Sequence, residues 1–410
     1  MSLSLIETSK KALLNNIAQI KKKLTPQQKF MAVVKANAYG HGLLEVVGAI
    51  KNKVDYFAVY DFNDALLLRK KKISQPILVL GRTLPSQISL ALKHDLEITV
   101  STFDLLEELS FFNHAVIPAQ AGIHLPKSLD LDSRLRGNDS ESRVFSAKEV
   151  AAIKKCKLKI HLCIESGMGR DGFVFLDLPK ILTLLKNKNI EPVGLYSHLS
   201  SADEKKFDAH SKKQVAELLK WKKALNEIGL KPLVHLAASS GVFIPKIAKA
   251  FDLVRVGLSL YGLWPSNEVK KFHQKETNLQ PVLSWRAMIS EIKFLPKGSA
   301  ISYGCTHILQ RDSKIAILPI GYFDGISRVS SSKGFVLING KKVPQLGRVT
   351  MNIIVIDVTD VVTAKIGDVA TIIGRDGDEE ITADDWAAWS ATSNYEIVTR
   401  INSGLARVVT

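Results

Sequence analysis

Cysteine is scarce here and poorly spaced for any scaffold role. Cys156, Cys163 and Cys305 form neither a C-x-x-C pair nor a zinc-ligand spacing, and an odd count of three leaves one over. That excludes a disulfide framework and suits a reducing cytoplasm. No uninterrupted apolar run reaches membrane-spanning length. The opening residues, Met1-Ser2-Leu3-Ser4-Leu5-Ile6-Glu7, lack the basic stretch and long apolar segment of a secretory signal, so the expected location is cytoplasmic. Aromatic residues make up only 7% of the chain, and none interleaves with the basic runs Lys21-Lys22-Lys23 and Arg69-Lys70-Lys71-Lys72. A formal charge of +16 invites a nucleic-acid reading, but a base-stacking groove needs those aromatics. Each basic run instead ends an expected helix, where cations meet the dipole and stay solvated. No nucleic acid and no membrane is expected as a partner. Nor is a metal: Asp130-Leu131-Asp132 starts like a calcium loop, but Arg134 and Arg136 take positions that need oxygen ligands.

What is present is a 46% apolar chain of 410 residues, enough for a barrel with an addition. Phe30-Met31-Ala32-Val33-Val34 reads as a buried strand. It ends on Lys35 and runs into a small-residue turn, Ala36-Asn37-Ala38-Tyr39-Gly40-His41-Gly42. A cation at the mouth of a buried strand is costly unless it is paired, exposed or reactive. Taken alone, it simply marks where a strand meets solvent. Seven further strands follow: Tyr56–Tyr60, Ile77–Leu80, Glu97–Val100, Leu158–Ile164, Pro192–His198, Leu233–Ala237 and Asp252–Val256. Helical patterns separate most of them, such as Phe62–Lys72, Lys205–Ile228 and Gly241–Ala250. An amphipathic helix over Ser9–Leu24 opens the fold. The α/β pattern predicts a closed (β/α)8, TIM-like barrel with its reactive groups at the strand C-termini. Lys35, Arg170, His198, Ser239 and Arg255 all fall at or just past such ends. From about 114 to 143 the chain loses periodicity and reads as an insertion, expected to be disordered. After about Glu276 short apolar runs alternate with turn signals, including Ser284–Phe294 and a hairpin turn at Asn339-Gly340. The expected division is a barrel over 1–275 and a mostly β domain over 276–410.

Several motifs occur in order along the chain: Val34-Lys35-Ala36-Asn37-Ala38-Tyr39-Gly40-His41-Gly42, Ser166-Gly167-Met168-Gly169-Arg170, Arg255-Val256-Gly257, Ser302-Tyr303-Gly304, Pro319-Ile320-Gly321-Tyr322, Gly347-Arg348-Val349-Thr350-Met351 and Tyr395-Glu396. Together they resemble the alanine racemases, pyridoxal-phosphate enzymes of the barrel-plus-β-domain type. The resemblance implies racemisation of L- and D-alanine by two bases, supplying D-alanine for peptidoglycan, with pyridoxal 5'-phosphate as cofactor. Lys35 would form the Schiff base and then serve one face of the α-carbon. Tyr303, from a partner subunit of a homodimer, would serve the other. A desolvated lysine suits that chemistry, and a phenol needs nearby cations, here His198 and Arg255. Arg255 would contact the pyridine nitrogen without protonating it. Phosphate would be held by Tyr39, Ser239, the amides around Gly257 and Leu258, and Tyr395. Arg170 would receive the substrate carboxylate. Tyr322 and Met351 would narrow the site from the partner.

The chain departs from the family pattern at Cys163, where the family usually has a carbamylated lysine that holds the arginine. It departs also at Glu165, Ala238 and Asn352. A thiol carries no carbamate, so Arg170 is expected to be held by something else, such as an anion or water. Two other readings share parts of the pattern. A related barrel decarboxylase would place an acidic residue at the pyridine nitrogen, which Arg255 opposes. A non-catalytic cofactor-homeostasis protein would lack the β domain.

Overall fold

The computed structural model describes residues 3–111, 157–186, 189–204 and 208–410. The expected insertion at 114–143 and Cys156 lie outside them. A strand that the periodicity does not reveal comes first. β1 (Ser4–Thr8) precedes the opening helix, which runs Lys10–Lys21 with Ser9 as its cap, the Ser9 hydroxyl accepting the Ala12 N–H at 3.3 Å.

Eight parallel strands then close a barrel: β2 (Lys29–Val33), β3 (Tyr56–Val59), β4 (Ile77–Arg82), β5 (Glu97–Val100), β6 (Leu158–Cys163), β7 (Ile190–Tyr196), β8 (Leu233–His235) and β9 (Leu253–Val256). Strands covered on both faces are largely apolar, and β3, β5 and β9 are buried at every residue, Glu97, Thr99 and Arg255 included. The helix expected over Gly241–Ala250 is instead a 3-10 turn, Gly241–Phe243, and a short helix, Pro245–Ala248. Pro245 has no N–H to continue a helix begun before it.

The second half is a sheet. Its strands are β10 (Leu283–Met288), β11 (Glu291–Leu295), β14 (Ser313–Leu318), β15 (Phe335–Ile338), β16 (Lys341–Leu346), β17 (Ile354–Asp357), β18 (Val369–Asp376), β19 (Glu379–Ile381) and β20 (Ala406–Val409). A separate small hairpin is made by β12 (Ala300–Ile301) and β13 (His307–Ile308), with Tyr303 on its connection. The single run expected over Ser284–Phe294 breaks at Ile289-Ser290, because β10 pairs with β1 and β18 whereas β11 pairs with β14. Asn339-Gly340 forms the expected two-residue hairpin between β15 and β16, both at positive φ (48° and 74°). β1 lies antiparallel to β10 and parallel to β20, so the chain's first strand belongs to the sheet formed by its last third. Among the described residues no helix is long and apolar enough to cross a membrane.

Candidate active site

Lys35 leaves the end of β2 into a turn of the wrong hand. Ala36, Asn37, Ala38 and Tyr39 all have φ near 53°. L-residues avoid this conformation at a cost of roughly 1–2 kcal/mol each, so the surroundings must impose it. The Asn37 carbonyl accepts the Gly42 N–H (2.9 Å), and the Asn37 side-chain oxygen accepts the Leu43 N–H (2.8 Å). Arg407 Nε donates to the Gly40 carbonyl at 2.9 Å, and the Thr8 hydroxyl donates to the His41 carbonyl at 2.7 Å. Gly40 packs so closely that a Cβ there would sit 1.9 Å from the Val398 carbonyl oxygen. The turn is thus gripped by both ends of the chain. Burial, then Arg170 and Arg255, lower the Lys35 ammonium pKa and favour the free amine.

Arg255 occupies the centre of the barrel mouth, almost wholly buried. Its Nη1 donates to His235 Nδ1 (2.8 Å) and the His235 carbonyl (3.1 Å). Its Nη2 donates to the Ser197 carbonyl (2.7 Å) and His198 Nδ1 (3.2 Å). Four of the five guanidinium N–H groups are committed in this way, and Nε–H has no hydrogen-bond partner among the described residues. The guanidinium also stacks over Tyr196, 5.0 Å from the ring centroid. Burial and the charges of Arg255, Arg170 and Lys35 push the His198 imidazolium down to about 3, so His198 is neutral. Since its Nδ1 accepts from Arg255, its proton is on Nε2.

The oxygen of Ser239 marks an anion cradle. The N–H groups of Gly257 and Ser259 both point at Ser239 Oγ, each at 3.2 Å. Tyr39 closes the same space: a Cβ on Gly257 would lie 2.4 Å from the Tyr39 hydroxyl. Burial, then Tyr395, raise the Tyr39 phenol beyond its ordinary range, which keeps it a hydrogen-bond donor. Ser239 therefore does not act as the N-cap of a long helix. Its hydroxyl is held by the loop after β9 instead.

At the expected carboxylate corner, Glu165 accepts N–H groups from Gly167, Met168 (2.7 Å), Gly169 (2.9 Å) and Arg170 (3.2 Å). Against the upward pull of partial burial, these donors hold its carboxyl below the usual range. The Arg170 Nε pairs with Asp171 at 3.1 Å. Cys163 is buried beneath, 3.9 Å from the Asp171 carbonyl, and burial pushes its thiol up to about 11, so it brings no charge. The arginine's loop is therefore fixed by a carboxylate from within the motif, a role the sequence does not assign to Glu165.

Lys35, Tyr39, Arg170, His198, Ser239, Arg255, Gly257, Leu258 and Tyr395 thus gather around one mouth. Tyr303, Tyr322 and Met351 do not. They are 72%, 44% and 55% exposed and line a cleft of the second half with Arg328 and Arg400, one that includes none of the mouth residues. Sequence reasoning missed Glu97, His161 and His235. These residues extend the polar contacts of Arg255 deep into the barrel, and their only signal is an ionisable residue within a largely apolar strand.

Both halves match models of one family. Residues 8–265 match the alanine racemase N-terminal domain and residues 282–409 the alanine racemase C-terminal domain. Alanine racemase 2 of Caldanaerobacter subterraneus subsp. tengcongensis is 35% identical over 98% of this chain and 94% of its own length. The alanine racemase of Leptospira interrogans is 33% identical over 99% and 95%. Among solved structures, alanine racemase from Bacillus anthracis with bound L-Ala-P superposes with a TM-score of 0.83 at 31% identity, covering 100% of this chain and 95% of that one. The enzyme from Streptomyces lavendulae superposes with a TM-score of 0.83 at 27% identity, covering 99% and 97%. With the barrel, the β-rich half and nearly every residue of both matched, the chain belongs to the alanine racemase family.

Proposed function

We propose that the protein interconverts L- and D-alanine with pyridoxal 5'-phosphate held at the barrel mouth. When bound, the cofactor supplies an aldehyde and an electron-withdrawing ring that acidifies the α-hydrogen of an attached amino acid. The residues fit it. Two backbone N–H groups converge beside Ser239, Tyr39 faces the bare Cα of Gly257, and Arg255 keeps one N–H uncommitted. Tyr395 approaches Tyr39 closely enough to raise its pKa and completes the phosphate end with the amide of Leu258. Lys35, with its pKa lowered, would anchor the cofactor and then take or return the proton on one face of the α-carbon.

Inversion needs a second base on the opposite face. Tyr303 is the candidate, reaching the mouth from a second copy of the chain, with Tyr322 and Met351 beside it to favour a small side chain. His198 keeps Nε2–H to donate to the Tyr303 oxygen once it has lost its proton. Arg170 would hold the substrate carboxylate. Arg255, which gives up its proton too reluctantly to donate it, would contact the ring nitrogen without protonating it and so temper the electron withdrawal that the ring supplies. That buried guanidinium is the observation that carries the reading, since a decarboxylase of related fold would want a carboxylate there.

The test is α-hydrogen exchange in deuterated water with each enantiomer of alanine and cofactor-loaded protein. Exchange with inversion is expected, and no exchange with either enantiomer would sink the reading. The second copy is tested by mixing inactive Lys35→Ala and Tyr303→Phe proteins. Random reassortment gives one intact site in half the dimers, so about a quarter of native activity should return. No recovery would refute action in trans.

A further inference from the structure

A buried line of polar groups runs from Arg255 to the far side of the barrel core. His235 Nε2 is 2.9 Å from His161 Nδ1, and His161 Nε2 is 2.7 Å from Glu97 Oε2. Glu97 is 3% exposed, and both imidazoles are fully buried. The donor logic of the line has one solution. Arginine only donates, so His235 Nδ1 must accept and its proton must sit on Nε2. His161 Nδ1 then accepts from His235, and the His161 proton sits on Nε2, pointing at the Glu97 carboxylate. The sheet is shaped to let the line pass. His161 is on β6 and His235 on β8, with β7 between them, and the β7 residue beside His161 is Gly194. A Cβ on Gly194 would lie 1.9 Å from His161 Nδ1, so only the bare backbone leaves room for the two rings to meet.

We infer that Glu97 is a positioning residue for Arg255, acting through His161 and His235. The carboxylate fixes the tautomer of each imidazole in turn, so that a lone pair is always presented to Arg255 Nη1. It is also the one carboxylate on a line that otherwise ends in a buried cation. Without it, His161 loses its acceptor, His235 is no longer confined to the Nε2–H form, and Arg255 loses the contact that orients its fork. Glu97 touches neither substrate nor cofactor on this account. Its influence on catalysis rests on the role proposed for Arg255, whereas the tautomer pattern does not.

The decisive measurement on the wild-type protein without cofactor is nitrogen NMR of labelled histidine. Both His161 and His235 are expected as neutral Nε2–H tautomers, and finding either as Nδ1–H or as imidazolium overturns the inference even if the enzyme racemises alanine. In the loaded enzyme, Glu97→Ala is expected to lower kcat at least about tenfold, the size of one lost charge-assisted hydrogen bond, with KM for alanine within about threefold. Glu97→Gln, whose carbonyl can still accept from His161, should recover most of the loss. A Glu97→Ala kcat within twofold of native, or a Glu97→Gln enzyme as impaired as Glu97→Ala, overturns the inference. If Glu97→Ala does not fold, Glu97→Gln and the tautomer measurement decide: a Gln enzyme near native with the predicted tautomers supports it. Failure of the wild type to racemise, with the tautomers as predicted, would count against the functional reading alone.

Discussion

Replacing Gly257 by alanine should cost cofactor affinity through a single atom. The new Cβ would lie 2.4 Å from the Tyr39 hydroxyl and 2.9 Å from its Cζ, so the phenol must retreat by about 1 Å to reach ordinary contact. It has little room to do so. Tyr39 is buried with its ring 5.1 Å from that of Tyr261, which is itself anchored by donating to the Val33 carbonyl at 3.0 Å. Crowding of this kind costs about 1–3 kcal/mol in stability. A phenol turned away from the cradle forfeits a hydrogen bond to a charged phosphate, about 1.5–3 kcal/mol, or roughly 10- to 150-fold in affinity. The assay is titration of cofactor-free protein by absorbance, alongside the thermal midpoint. Tyr39→Phe alone should lose the affinity without the crowding. In the double variant the atom nearest the new Cβ is gone, so the combined losses should fall well short of the sum. Native affinity in Gly257→Ala, or strict additivity in the double variant, would refute the placement of Tyr39 against the phosphate site.

Three other outcomes follow from the same geometry. Burial pushes His41 down to about 4 and His235 well below its ordinary value of 6.5, so both are neutral in the folded protein. Below pH 6.5 the unfolded chain binds protons that the folded one refuses, and stability should fall by about 1 kcal/mol per histidine between pH 6.5 and 5.5; a thermal midpoint flat across that window would contradict the burial. Lys35→Ala should abolish the absorbance band of covalently held cofactor and all racemisation, and a surviving band would place the attachment elsewhere. Gly40→Ala, at φ 81° with its Cβ 1.9 Å from a backbone oxygen, should destabilise the protein by at least about 2 kcal/mol in a denaturant melt.

The eight barrel strands could be read because each is a short, largely apolar run between helical or turn signals, and the structure places every one within two residues of its expected ends. β1 could not, because Ser4–Thr8 mixes polar and apolar residues and finds its partners at Leu283–Met288 and Ala406–Val409, pairings that no local pattern announces. The break between β10 and β11 was hidden for the same reason: the corner is set by which strands they pair with. Lys35, Tyr39, Ser239 and Arg255 were legible from motif and position at strand ends. Glu97, His161 and His235 were not, since each looks like an incidental polar residue in a largely apolar strand. Their meaning depends on barrel closure and on the gap at Gly194. Glu165 was noticed as a departure, but its work on four loop amides required the fold of residues 166–170 to be seen.

The left-handed turn after Lys35 also says something about when the site is made. The turn is synthesised well before the residues that close on Gly40, Val398 and Arg407, the latter 367 residues further along. Local hydrogen bonds close the turn, but the grip on Gly40 comes from Arg407 and Val398, so a nascent barrel still lacking β20 holds the lysine's turn less firmly. Ordering of this turn is therefore tied to the emergence of β20, and contacts this distant in sequence form late in folding. A protein without β20 should retain barrel secondary structure and fail to capture pyridoxal phosphate, so loading would report on whether β20 has joined the sheet.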